Sequence, residues 1–346
     1  MAHRPVKNGS RPAARFTRRQ VLGAAAAAMG LMGERSAAQD GRVIAQGDPG
    51  VGELPRIPPP WWMERLGPRS RVVEVHSQKV LQHSIVDPLV LRQMLTQGVR
   101  TLTGTLSPQA AWRELLGDAR RIVLKFNSVG ANVLSTTDPM ARAIVEALEV
   151  AGYDVGAVGL VEAPSYLPSR LGTRLPAGGW GEPIQVGGQL EPLAAYVYEA
   201  DAIINVAFLK THQIAGLSGC LKNLSHAVIR HPARYHANWC SPYVAQVVGS
   251  EAVSSRLRLN LVNALRVVVD RGPDANPEDV VDYRGLLLGV DPVAVDRVGL
   301  SVLTAERARL GLVQDLRVPS LTDAARMGLG RVRPEGIERR QALGVD

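Results

Sequence analysis

From residue 69 onward, short β-branched runs alternate with helical patterns, and few folds accommodate that rhythm. Residues 71–76 read as a strand, 88–96 as a helix, 108–116 as a second helix behind Ser107, and 121–126 as a buried strand. A clearer helix follows: Asp138 can cap its first turn, Pro139 suits the first helical position, and Gly152 stands just past its end. Residues 154–161 make the next strand. Strand-like segments recur at 202–206, 260–269 and 283–290, the last running into a helix that starts at Pro292 behind Asp291. The pattern predicts an α/β fold with a mainly parallel sheet and helices on both faces, in one domain or two intimate lobes. Ligands of such sheets sit beyond the carboxyl ends of the strands, so the residues that end each strand matter most.

The first 38 residues follow a different logic. A polar stretch rich in Arg precedes an Ala/Gly-rich run at 21–33, then Ser36-Ala37-Ala38 before Gln39. This is the three-part pattern of a secretory signal, too short to span a bilayer as a helix. Thr17-Arg18-Arg19-Gln20-Val21-Leu22 with a mildly apolar run fits the twin-arginine form. Cleavage after Ala38, passage through the twin-arginine translocation machinery and a periplasmic or extracellular location are the expectations, with no stable membrane anchor after cleavage. Residues 39–68, with Pro55, Pro58, Pro59, Pro60 and Pro68, read as a Pro/Gly-rich lead-in, 69–335 as the α/β domain and 336–346 as a tail.

The leader also distorts the charge balance. Residues 1–38 hold seven basic side chains and one acid, so of the formal +8 only about +2 remains in the mature chain. A basic surface for nucleic acid is therefore not expected. The chain has two cysteines, Cys220 and Cys240, which an oxidising compartment permits to pair. Two thiols exclude a four-thiolate iron–sulfur cluster, and no other cofactor is named by the residues.

Three segments bring polar groups to strand ends. Lys125-Phe126-Asn127 follows Ile122-Val123-Leu124, with Lys125 and Asn127 on one face. Lys210-Thr211-His212 follows an apolar run from Ile203, supplying a cation, a hydroxyl and an imidazole. Gly216-Leu217-Ser218-Gly219-Cys220-Leu221-Lys222-Asn223 reads as a Gly-containing turn opening a helix, whose amides and Lys222 suit an anion. The glycine spacing is not that of a P-loop, and no Gly-x-Ser-x-Gly elbow, His-Glu-x-x-His helix or dinucleotide glycine fingerprint is present. His212, His226, His231 and His236 fall in one stretch with both cysteines, but their spacing matches no standard zinc module. Solvated loop histidines with a Cys220–Cys240 disulfide are the plain expectation, and no metal ligands are assigned.

Val123-Leu124-Lys125-Phe126-Asn127, Thr136-Thr137-Asp138-Pro139, Asn205-Val206-Ala207-Phe208-Leu209-Lys210-Thr211-His212, Leu221-Lys222-Asn223-Leu224 and Gly289-Val290-Asp291-Pro292-Val293-Ala294-Val295-Asp296 resemble, in this order, motifs of the domain-of-unknown-function 362 family. The resemblance runs over residues 72–330 and implies an α/β fold with a site at Lys125, Lys210, His212, Lys222, Asn223, Asp291 and Asp296. It supplies no reaction, and the iron–sulfur label of some relatives is not transferred to a chain lacking their cysteines. Asp291 is well explained as a helix cap, whereas Asp296 could point into the crevice beside the lysines.

The residues together lead to an exported enzyme acting on an anionic small molecule or organic cofactor. Lys210 and Lys222 would hold the anion, His212 would act as general acid or base with Lys210 and Lys125 in the catalytic set, and Asn127, Thr211, Asn223, Asp291 and Asp296 would contribute to binding. The alternative is a non-catalytic periplasmic binding or carrier protein for an anionic ligand or a metal.

Overall fold

The computed structural model describes Leu54 and residues 57–342; the leader and its cleavage point lie outside the described residues. One twisted sheet organises them. Its strands are β1 (Ser70–His76), β2 (Ile122–Lys125), β3 (Gly159–Val161), β4 (Ala202–His212), β5 (Gly216–Ser218), β6 (Leu257–Val268), β7 (Val280–Gly289) and β8 (Ile337–Gln341). The spatial order is β8-β1-β7-β6-β4-β2-β3, with β5 folded back on the end of β4. Pairings β8/β1, β6/β4, β4/β2 and β2/β3 are parallel, while β1/β7, β7/β6 and β4/β5 are antiparallel. The expected mainly parallel α/β architecture is present, and four adjacent parallel strands send their carboxyl ends to one edge.

Period-2 side-chain alternation splits the apolar strand residues between two faces. Val73, Val75, Leu124, Ile204, Leu261 and Leu288 pack under helices α1 (Pro88–Thr103), α2 (Pro108–Leu116) and α3 (Thr137–Val150). Val72, Leu209, Val262 and Leu287 face Val295 and Val298 of a later helix, Pro292–Arg309. Helices thus cover both faces, as expected.

Local chemistry explains where the elements begin. Ser107 accepts from the Ala110 amide to start α2, and Asp291 accepts from the amides of Val293 and Ala294 to start Pro292–Arg309. Other boundaries depart from expectation. The first helix runs on to Thr103, because Leu95, Val99 and Leu102 continue its buried stripe. Asp138 lies inside the first turn of α3 without capping it and instead accepts from the Tyr166 hydroxyl. Asp154 accepts from the Gly156 amide and sets a tight helical turn, which leaves only Gly159–Val161 as strand. The largest departure is β4, which continues through Lys210, Thr211 and His212 because β5 and β6 supply partners for those polar residues.

Part of the Pro-rich lead-in packs on the body. Trp62, in the short helix Trp61–Arg65, is fully buried, and its indole Nε1 donates to the Leu329 carbonyl at 2.8 Å. At the other end, β8 pairs with β1 inside the stretch read as a tail. Replacing Trp62 with Ala removes this anchor, and a loss of about 3–5 kcal/mol is expected. Denaturant titration checks it: the midpoint falls while the slope is unchanged.

Candidate functional site

The site is built on a polar rail through the sheet. Lys125, Asn205 and Asn260 are consecutive register partners on β2, β4 and β6. Asn205 Nδ2 donates to Asn260 Oδ1 at 2.8 Å, and Asn223 Nδ2 donates to Asn205 Oδ1 at 2.7 Å. Asn223 closes the short helix α4 (Cys220–Asn223), so the rail fastens that helix to the sheet.

Lys125 is completely enclosed. Its Nζ donates to the Phe126 carbonyl at 2.6 Å, Glu162 Oε2 at 2.9 Å and Asn223 Oδ1 at 2.9 Å. Burial pulls its pKa down, and the Glu162 carboxylate opposes that pull. All three donor positions are used, so Lys125 organises the site and has no proton or hydrogen bond left for a ligand. The paired carboxylate is one the sequence reading missed. Glu162 immediately follows β3 with φ of 54°, so its place at a strand end was itself a signal.

Lys210 lies across Asn127 from this pair. Its Nζ donates to the Val129 carbonyl at 2.6 Å and to Asn127 Oδ1 at 3.2 Å, while Asn127 Nδ2 donates to Asn223 Oδ1 at 3.2 Å. Burial lowers the Lys210 pKa to about 8; Asp274 and Glu162 hold it up, whereas Lys125 and Lys222 press it down. Lys222 is likewise lowered to about 8, by burial first and by Lys125, with Cys240 and Glu162 opposing. Its ammonium, partly buried, makes no hydrogen bond or ion pair among the described residues.

His212 is held differently from its expected role. Its Nδ1 accepts from the amides of Ile214 at 3.1 Å and Ala215 at 3.2 Å, which leaves the proton of the neutral ring on Nε2. Burial, then Lys222, His236 and Lys210, lower its pKa to about 3. Near neutrality it is a hydrogen-bond donor through Nε2, not a base. Thr211 also turns to structure: its Oγ1 accepts from the Gly272 amide at 3.0 Å, and a Cβ on Gly272 would collide with the Thr211 carbonyl.

The two aspartates are engaged by backbone amides and a serine instead of by the lysines. Asp291 accepts from Ser70 Oγ at 2.6 Å, the Val293 and Ala294 amides at 2.9 Å and the Arg331 amide at 2.8 Å. Asp296 accepts from the amides of Cys220 at 2.6 Å and Leu221 at 2.9 Å, and a Cβ on Gly219 would strike its carboxylate. The helix-start amides that the sequence offered to an anion are therefore already occupied by the protein's own carboxylate. Burial pushes the Asp296 pKa up to about 6 against these hydrogen bonds. Glu162 and Asp274, instead, supply negative charge to the lysine cluster.

Beyond the end of β4 lies a cleft of about 370 Å³, lined in part by Thr211, His212, Trp239, Arg271, Arg307 and Arg317. Arg271 pairs with Asp279 and Arg307 with Asp270. Arg317 stacks on the Trp239 ring at 3.6 Å and makes no ion pair among the described residues. A larger cleft of about 450 Å³, bordered by Trp61, Arg69, Arg71 and Glu338, holds none of the polar strand-end residues.

The expected disulfide and solvated histidines are not what the structure contains. Cys220 and Cys240 are both free and buried. His226 is buried, His236 packs edge-on against it with centroids 4.5 Å apart, and the His212 ring lies 6.1 Å from that of His236. His231 leaves the group, pairing with the buried Glu191 at 3.1 Å. Glu191 also takes the Tyr235 hydroxyl at 3.0 Å and thereby fixes the turn that presents His236.

Residues 175–301 match the family model described as Domain of unknown function (DUF362), which supports that family and spans every site residue named above from Lys210 to Asp296. No protein of curated function matches the chain. A crystal structure of a Thermotoga maritima protein, a structural genomics target, is similar at 12% identity, over 66% of this chain and 60% of that one, with a TM-score of 0.38. The lactate racemase apoprotein of Thermoanaerobacterium thermosaccharolyticum is similar at 9% identity, over 64% of this chain and 54% of that one, with a TM-score of 0.37. The chain therefore spans less than two thirds of either, and likeness this loose transfers no site.

The depressed His212 pKa has a consequence for stability. Above about pH 6.5 the ring is neutral in folded and unfolded chains alike; below it, the unfolded chain gains a proton that the folded one refuses until about pH 3. Stability is thus intact above pH 6.5 and falls with acidification, by roughly 2 kcal/mol from this group at pH 5. Thermal midpoints measured from pH 7 to 5 check this, and His212→Asn, which can still accept an amide, is expected to flatten the slope.

Proposed function

We propose that the protein binds an anionic small molecule in the crevice between Lys210, Lys222 and His212 and acts on it as an enzyme. The observation that carries this reading is the Lys222 ammonium, partly buried and without a bonded partner among the described residues, close enough to Lys210 and to the His212 imidazole to lower both their pKa values. An anion there meets charge-assisted donors in a site sheltered from water. Lys222 is also the group suited to proton transfer, because its pKa of about 8 lies near working pH while that of His212 does not. Arg317, stacked on Trp239 in the cleft that His212 also lines, adds a positive charge on that side of the imidazole.

Lys222→Met is expected to weaken binding of inorganic phosphate or a short dicarboxylate by about ten- to hundredfold in calorimetric titration. Unchanged affinity sinks the reading. Lys222→Arg keeps the charge without a proton to give near pH 8, so it retains binding and loses any turnover; a carrier would show binding in both proteins and turnover in neither.

Lys210 and Lys222 together make the affinity depend on pH. Both are charged below about pH 8 and neutral above, so anion affinity is expected to fall by up to about a hundredfold between pH 7 and pH 9. The same titration repeated across that range checks the sign.

Export by the twin-arginine route is part of the proposal and is supported by Thr17-Arg18-Arg19-Gln20-Val21-Leu22. Replacing Arg18 and Arg19 together with Lys is expected to hold the precursor in the cytoplasm, read by cell fractionation.

A further inference from the structure

We propose that His226, His236 and Cys240 form a binding site for a thiophilic transition-metal ion, with Zn²⁺ as the representative. One donor atom from each residue lies within 4.8 Å of the other two, with His226 and Cys240 buried and His236 half-buried. Around a tetrahedral zinc such atoms stand roughly 3.3–3.6 Å apart, a closure within reach of small rotamer adjustments.

Hydrogen bonding prepares both rings. His226 Nε2 faces the Tyr235 carbonyl at 3.0 Å and His236 Nδ1 faces the Pro232 carbonyl at 3.1 Å. A carbonyl only accepts, so each contact places the proton on that nitrogen and leaves the other nitrogen of the ring with its lone pair. This is how metal-bound histidines are commonly oriented from behind. The Ser225 hydroxyl, 3.1 Å from His226 Nδ1, has a second acceptor in the Lys222 carbonyl at 3.0 Å and can turn to it. His212 is not a ligand, because its Nδ1 is taken by two amides and its Nε2 keeps the proton.

The backbone that delivers the thiol is strained. Asn238, Trp239 and Cys240 are consecutive non-glycine residues with φ of 49°, 54° and 62°. Such conformations are unfavourable for residues with a Cβ and persist where the surroundings impose them. Lys222 is an unfavourable charge nearby, and a Cys240 thiolate would offset it. Two imidazoles and a thiolate suit zinc and related soft ions and are poor ligands for calcium or magnesium. Three protein ligands leave a fourth position for water or a bound anion. The inference does not rest on anion capture, since the metal is read out by itself.

The test uses the mature chain, purified without a histidine tag and titrated with Co²⁺. About one ion per chain is expected, with a thiolate-to-cobalt charge-transfer band in the near ultraviolet that Zn²⁺ displaces. Cys240→Ser is expected to lose the band, and His236→Gln to lose both the band and the rise in thermal midpoint that Zn²⁺ gives the parent protein. Lys222→Met retains the band while losing phosphate, which separates this site from the anion reading. No band in the parent at excess metal, or an undiminished one in Cys240→Ser, overturns the proposal. So does a Zn²⁺-dependent rise in midpoint that His236→Gln leaves unchanged.

Discussion

Everything at the carboxyl edge of the sheet depends on an ammonium taken completely out of water. Moving such a charge into the interior costs several kcal/mol even after relaxation, so Lys125 is tolerable only if all its donors are satisfied. Glu162, the Phe126 carbonyl and Asn223 do this, and each is thereby fixed in place. The constraint spreads from there. Asn223 cannot rotate without stranding Lys125, Asn205 cannot rotate without stranding Asn223, and α4 is tied to the sheet by side chains rather than by its own four residues. An ion pair around a buried ammonium is weak support for stability in general, but here it sets the geometry on which Lys210 and Lys222 stand.

Around that anchor the titratable side chains divide into two groups. Lys125, Lys210 and Lys222 have Glu162 as a counter-charge, joined by Asp274 at Lys210, while burial and then Lys222 lower the pKa values of His212, His226 and His236. Each group enforces the other. Ammonium groups discourage imidazole protonation, and neutral imidazoles keep lone pairs that protonated rings would lack. Burial, with neighbouring ammonium groups adding to it, brings two lysines to about pH 8, where small environmental changes alter their charge.

Much of the fold was legible because punctuation and period are local. Ser107 and Asp291 start their helices as their types and positions suggest, and Pro108–Leu116 follows directly. Misjudged boundaries came from longer-range partners: Tyr166 claims Asp138, and β5 and β6 draw Lys210-Thr211-His212 into β4. The site was legible as a list of residue types and not as a set of bonds. Lys125, Asn127, Lys210, Lys222 and Asn223 do come together, but that Lys125 is saturated, or that Asp296 turns to the amides of Cys220 and Leu221, depends on distances no spacing encodes. Asn205 and Asn260 sit inside apolar strands, where a lone amide reads as incidental until the register pairs them. Cys240 joins the histidines only through the left-handed turn at 238–240.

β4 is eleven residues long and runs beside the four residues of β2, so most of its second half projects past its neighbour. That overhang acts as a gauge. Each residue along it advances the chain by about 3.3 Å and reverses the side it presents. A single insertion between Asn205 and Lys210 would leave the rail intact, yet turn Lys210 and His212 to the opposite face and bring Thr211 to theirs. Length variation among descendants of this chain should therefore collect in the surface loops and avoid this span, whatever its sequence tolerates.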